Sequence, residues 1–160
     1  MTSHRKLPEA LTAYRIGDPA GEYPVFSVEG ARRVQGRWHQ VGDRVIYASL
    51  HYSTAMLEKL VHWNGALPPN QHFIEIVIPA GLSYEMVTPD ILPDWYKHSG
   101  EAARRFARGW YDEARSVVLL VPSVVARIEQ NVIVNADHAE FSAIKPGLEA
   151  PVWWDERLFA

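Results

Sequence analysis

Polar and apolar positions along the chain alternate in short stretches more often than they follow helical spacing. Leu11-Thr-Ala-Tyr-Arg-Ile16 has the period of a half-buried strand, and Gly17-Asp18-Pro19 closes it with turn chemistry. Val45-Ile-Tyr-Ala48 reads as a second strand, rich in β-formers. Phe73–Ile78 is a third, with Ile74, Ile76 and Ile78 on one face, and Ser83–Val87 a more loosely patterned fourth. Val117-Val-Leu-Leu-Val121 is continuously apolar, as expected of a strand covered on both faces, and Pro122-Ser123 stops it. Val132-Ile-Val134, between two asparagines, is a further strand.

Two segments carry helical spacing. Ser53 offers an N-cap to a helix with Met56, Leu57, Leu60 and Val61 as its apolar face, ended by Asn64-Gly65. Glu58 lies at the flank of that face and His62 nearly opposite it. Ser99 caps a second helix to about Ala114. Ala103, Phe106, Ala107, Trp110 and Ala114 form its stripe, and Arg104, Arg105 and Arg108 belong to its polar side. Residues 20–44 are irregular, with a helical turn near Ser27–Val34, and the tail from Ser142 has no assignable element. Strands outnumber helices without regular alternation, which predicts an α+β domain rather than a doubly wound sheet.

Composition narrows the function classes. A chain of 160 residues, 48% hydrophobic and 22% charged, without a linker or repeat, is expected to fold as one domain over 1–160. Sixteen Lys+Arg against nineteen Asp+Glu leave no basic excess for direct nucleic-acid binding. The absence of cysteine rules out disulfides, thiolate metal sites and a cysteine nucleophile. The seven histidines share no ligand spacing, so no metal site is expected. No apolar run approaches the roughly 18 residues of a membrane span, and Pro8 and Glu9 interrupt any leader. The expectation is a cytoplasmic protein without membrane contact.

What stands out is polar chemistry beside apolar segments: Arg15 in the first strand, Arg37 between Gly36 and Trp38, Tyr47 in the second strand, Glu58 in a helix, and Ser123 past the most apolar strand. Each has a plain structural reading. Arg15 points from an exposed sheet face, Arg37 stacks on Trp38, Tyr47 is an ordinary strand residue, Glu58 a solvated helix flank, and Ser123 a turn former. Trp153-Trp154 is a candidate partner anchor, with packing on the core the preferred reading. Glu101–Arg105 and Arg108–Asp112 read as i, i+4 pairs of a solvated helix. Composition and spacing alone stop at a soluble α+β domain.

Taken in order, six segments resemble the RES-domain family, the toxins of Xre–RES type II toxin–antitoxin pairs. They are Tyr14-Arg15-Ile16, Gly36-Arg37-Trp38, Val45-Ile-Tyr47-Ala-Ser49, Ala55–His62, Val121-Pro-Ser123-Val-Val125 and Asn131–His138. They span most of the chain from Leu11 to about Ile144. The resemblance implies a compact mixed sheet like that of ADP-ribosyltransferases, and an enzyme that cleaves the nicotinamide–ribose bond of NAD+ without a metal. It implies Glu58, Arg37 and Tyr47 as catalytic residues and Arg15, Arg37, Tyr47 and Ser123 as the NAD+-binding set. Those residue types suit the reaction. A carboxylate stabilises the oxocarbenium ion that forms as a cationic leaving group departs, and guanidinium groups grip pyrophosphate in a fork. The implied partners are a cognate Xre-type antitoxin and, for ADP-ribose, a cellular protein, water or phosphate as acceptor. The alternative is a non-enzymatic nucleotide- or protein-binding module. A nucleic-acid-cleaving toxin would need a basic face or a carboxylate cluster, and carries little weight.

Overall fold

The computed structural model describes residues 5–159; His4 and the leader reading of the first residues lie outside them. In chain order the strands are β1 Arg5–Lys6, β2 Leu11–Gly17, β3 Val45–Ser49, β4 His72–Ile78, β5 Ser83–Met86, β6 Val118–Pro122, β7 Gln130–Asn135, β8 Lys145–Pro146 and β9 Ala150–Pro151. The α-helices are α1 Glu29–Arg33, α2 Tyr52–His62 and α3 Glu101–Asp112. The strands form one sheet in the order β1-β5-β6-β7-β3-β2-β4-β8, with β9 also on β4. Among the described strands only β5 and β6 run parallel, and α3 lies in the connection between them. The α+β class expected from the strand pattern and the mixed sheet implied by the resemblance are both present.

Strand periodicity sorts the side chains into two cores. On one face Ile74, Ile76 and Ile78 of β4 pack with Ala13, Ile46, Val118, Leu120, Val132 and Val134. On the other, Val45, Leu119, Val121 and Ile133 lie under α3 and under Trp38 and Trp95 from two loops. All five residues of β6 are buried, as its unbroken apolar run requires. The α3 stripe is Ala103, Ala107 and Trp110, fully covered, with Phe106 at its edge. The Trp110 indole N–H donates to Ser116 Oγ at 2.8 Å, which satisfies the one polar atom of the largest fully buried side chain.

Several local expectations are corrected. His51, not Ser53, holds the N-cap position of α2, with extended backbone and no side-chain cap. The buried residues of α2 are Thr54 and Ala55, whereas Leu57 and Val61 are 42% and 54% exposed. Small side chains face β2 and β3, so Leu57 and Val61 of the expected apolar face point outward while Met56 and Leu60 are half-buried. Gly100 in left-handed conformation, φ 69°, precedes α3, and Ser99 Oγ accepts from Glu101 N–H at a long 3.5 Å. The helix ends before Ala114, which is exposed and has φ 48°. In the tail Trp153 is 86% exposed, so only Trp154 packs, edge-on to Phe159. The first half of the expected Trp pair therefore does not join the core.

Candidate active site

The site forms where β2 and β3 separate. These strands are ladder-paired only at Tyr14 and Ser49, while β3 pairs with β7 along its whole length. Arg15 occupies the opening. Its Nε donates to Val25 O at 2.5 Å and its Nη1 to Tyr47 O at 2.9 Å. Burial pulls its pKa down to about 10. The reading of Arg15 as a side chain on an exposed sheet face is thereby replaced: it bridges backbone carbonyls that no strand satisfies.

Alternation places Val45, Tyr47 and Ser49 of β3 on the α3 side of the sheet, beside Asn131 and Ile133 of β7 and Val121 of β6. Ser123, two residues beyond Val121, continues that face. Glu58 reaches it from α2. Its Oε1 accepts from Ser123 Oγ and from Asn131 Nδ2, each at 2.8 Å. The Ser123 hydroxyl also accepts Ala126 N–H at 3.1 Å, and Asn131 Oδ1 accepts Ser49 Oγ at 2.7 Å. Glu58 Oε2 has no protein partner among the described residues.

A second network fixes Tyr47. Its hydroxyl lies 2.7 Å from His39 Nδ1 and accepts Trp38 N–H at 3.1 Å. His39 Nε2 faces the carbonyl oxygens of Ala31 and Val34 at 2.8 and 2.7 Å, so the ring proton sits there. Nδ1 therefore accepts from the tyrosine. Burial pushes the Tyr47 phenol well above its ordinary value. Its hydroxyl is occupied on both sides, which leaves the ring as the part able to meet a ligand. Gly36 is required by close approach: a Cβ there would lie 2.8 Å from His39 Cε1 and 3.0 Å from the Tyr47 hydroxyl.

Arg37 sits across from Glu58. Its Nη1 donates to the carbonyl oxygens of Trp95 and Lys97 at 2.8 and 2.6 Å, while Nε and Nη2 have no partner among the described residues. Burial lowers its pKa, and the Glu58 charge opposes that shift. Arg15, Arg37, Tyr47 and Glu58 all line one cavity of about 720 Å³, within the 300–1,000 Å³ typical of ligand sites. Among the described residues Glu58 is the only acidic one on its wall, set against Arg15, Arg37 and Lys59. Burial and the Arg15 charge lower the Lys59 pKa.

Ser123 is placed differently from the others. It is fully buried, absent from the cavity lining, and its hydroxyl is committed to Glu58 and Ala126. Residue-type reasoning missed Asn131, His39 and Arg104. Asn131 bracketed a strand and lay within a segment matched to the family, without a role; its place opposite Ser49 emerges only when β3 and β7 pair. Arg104 read as part of a solvated helix face. In fact its Nη1 donates to Gly36 O at 3.2 Å and its Nη2 to Ser99 O at 2.6 Å, tying the two loops at the cavity mouth. Arg108–Asp112 does pair, at 2.6 Å, and Arg108 also reaches Asp43.

A divided mixed sheet with one carboxylate and two guanidinium groups on a shared cavity wall defines, among the described residues, an α+β domain with a charged cleft. A RES domain family profile matches residues 12–155, and the chain belongs to the RES domain family. It is 35% identical over 152 residues to the "Prs ADP-ribosylating toxin" of Sphingobium sp. (strain YBL2), covering 91% of this chain and 94% of that protein. It is 32% identical over 142 residues to "Toxin Res" of Pseudomonas putida, covering 86% and 94%. Among solved structures, the M. tuberculosis MbcT–MbcA toxin–antitoxin complex contains a chain that superposes with TM-score 0.74 at 16% identity, covering 92% of this chain and 86% of that one. That similarity is one of fold.

Proposed function

We propose that this protein is the toxin of a toxin–antitoxin pair, cleaving the nicotinamide–ribose bond of NAD+ and transferring ADP-ribose to an acceptor protein. The observation that carries the reading is the Glu58 carboxylate, held by Ser123 and Asn131 on a largely apolar cavity wall that also carries Arg15, Arg37 and Lys59. The similarity to a relative named as an ADP-ribosylating toxin supports it, and favours a protein acceptor over water or phosphate.

The cavity suits the substrate. Arg15 retains Nη2 and Arg37 retains Nε and Nη2 for pyrophosphate oxygens, a bidentate geometry lysine cannot match. The Tyr47 ring supplies an apolar face for nicotinamide or ribose. As the C–N bond breaks, its electron pair leaves with neutral nicotinamide and positive charge develops on the ribose. Glu58 Oε2 is the acceptor oxygen for a ribose hydroxyl and the fixed negative charge for that cation. An acceptor nucleophile then bonds to the anomeric carbon and releases its proton to solvent. Ser123 acts here by positioning Glu58 rather than by touching nucleotide. An Xre-type antitoxin is the proposed partner and the cytoplasm the proposed compartment; no described helix is long and apolar enough to cross a membrane.

Incubation with NAD+ and cell lysate tests the reading. The expected result is free nicotinamide with an ADP-ribose mass increment on a cellular protein. Free ADP-ribose or its phosphate without protein modification would move the acceptor assignment to water or phosphate. No nicotinamide at all would leave a nucleotide-binding module and overturn the enzyme reading.

A further inference from the structure

Two side chains donate to the same oxygen of Glu58, and the second of them, Asn131, is itself held from behind. Asn131 projects from β7 directly opposite Ser49 of β3, and the two form a short relay behind the carboxylate. The Ser49 hydroxyl donates to Asn131 Oδ1 at 2.7 Å, which fixes the amide so that Nδ2–H points at Glu58 Oε1. Ser49 is 3% exposed, so the relay is anchored in the sheet rather than in solvent. With Ser123 on the other side, both donors hold Oε1 and leave Oε2 alone at the cavity wall.

We infer that Asn131 is a positioning residue for the reaction: its amide, oriented by Ser49, fixes the Glu58 carboxylate so that one defined oxygen meets the ribose. The inference deepens the NAD+ reading and rests on it for its kinetic consequence, while the geometric relay stands on its own. A carboxylate held by Asn131 of β7 and by Ser123, just past the end of β6, cannot rotate about its terminal torsion without breaking both bonds. A solvent-exposed glutamate on a helix would sample that rotation freely, because the torsion is broad. The relay therefore trades side-chain freedom for a preset charge position, the condition under which a fixed carboxylate acts on a developing cation without reorganising.

The test compares Asn131→Ala, Asn131→Asp and Ser49→Ala with the unchanged protein, each checked by thermal melt. Nicotinamide release is measured against NAD+ concentration, and the Glu58 side-chain carboxyl carbon is observed by NMR. Asn131→Ala is expected to lower kcat about ten- to a hundredfold with KM for NAD+ nearly unchanged, and to shift the carboxyl resonance. Asn131→Asp keeps the size but sets a second carboxylate against Oε1, and lowers kcat at least as far. Ser49→Ala, which releases the amide, gives a smaller fall in kcat. If Asn131→Ala fails to fold, the other two variants carry the comparison. Unchanged kcat and an unchanged carboxyl resonance in folded variants overturn the inference, as does a raised KM with kcat retained. If the unchanged protein releases no nicotinamide, the NAD+ reading fails, and the carboxyl resonance still decides whether Asn131 holds Glu58.

Discussion

Ser123→Ala separates two roles that residue type alone does not distinguish. If Ser123 touched the nucleotide, its loss would weaken binding. The structure gives it a hydrogen bond to Glu58 Oε1 at 2.8 Å, one from Ala126 N–H at 3.1 Å, and no exposed surface. A hydrogen bond to a charged group contributes about 1.5–3 kcal/mol. At about 1.4 kcal/mol per factor of ten, full expression in the transition state gives a kcat loss of about 10- to 150-fold. The orphaned, part-buried Ala126 N–H adds at most about 1–3 kcal/mol of destabilisation. Steady-state nicotinamide release at several NAD+ concentrations reads the first quantity, and urea unfolding the second. Because Ser123 and Asn131 donate to one oxygen, the double variant should depart from additivity, as coupled neighbours do. A Ser123→Ala protein with wild-type kcat and raised KM would refute the argument and return Ser123 to the nucleotide.

Other expectations follow from single contacts. Gly36→Ala forces a Cβ against the His39 ring and the Tyr47 hydroxyl, and His39 is pinned by two carbonyls, so Tyr47 must yield; activity should fall while far-UV circular dichroism is retained. Trp110→Ala empties the centre of the α3 core and should cost about 3–5 kcal/mol in urea unfolding, with Trp110→Phe milder. Glu140 is held against Ser83: burial raises its pKa, but the hydrogen bonds from the Ser83 hydroxyl and N–H outweigh it and the net shift is downward. A folded-state value below the unfolded one contributes stability above the ordinary carboxylate range, lost as pH falls through the lower value. Glu140→Gln should therefore lose less stability than the unchanged protein between about pH 5 and pH 3.

Much of the sheet is legible in the alternation. Ile74, Ile76 and Ile78 announce a covered face, and the run Val117–Val121 announces a strand covered on both. Helix α2 is legible as a helix but not in its orientation. Hydrophobic spacing picks out Leu57 and Val61, whereas packing selects the small Thr54 and Ala55, because only they allow the close approach that brings Glu58 over the strand ends. Arg15 shows the other limit. Its burial depends on β2 and β3 parting after one pair, a property of two distant segments together, and a single strand pattern carries no trace of it. The same holds for Arg104, whose helix looks solvated until the loops at Gly36 and Ser99 fold onto it. Arg15, Arg37, Tyr47 and Glu58 entered through family resemblance, and the fold brings all four to one cavity. Asn131 lay within a matched segment without a role.

The most direct test of the central claim replaces Glu58 by glutamine. The amide oxygen can still accept from Ser123 and Asn131, so the fold and the cavity wall are preserved while the negative charge at Oε2 is removed. The account predicts that the unchanged protein releases nicotinamide from NAD+, and that Glu58→Gln binds NAD+ comparably but turns it over at least about 100-fold more slowly. A folded Glu58→Gln protein that cleaves NAD+ at the unchanged rate would contradict it.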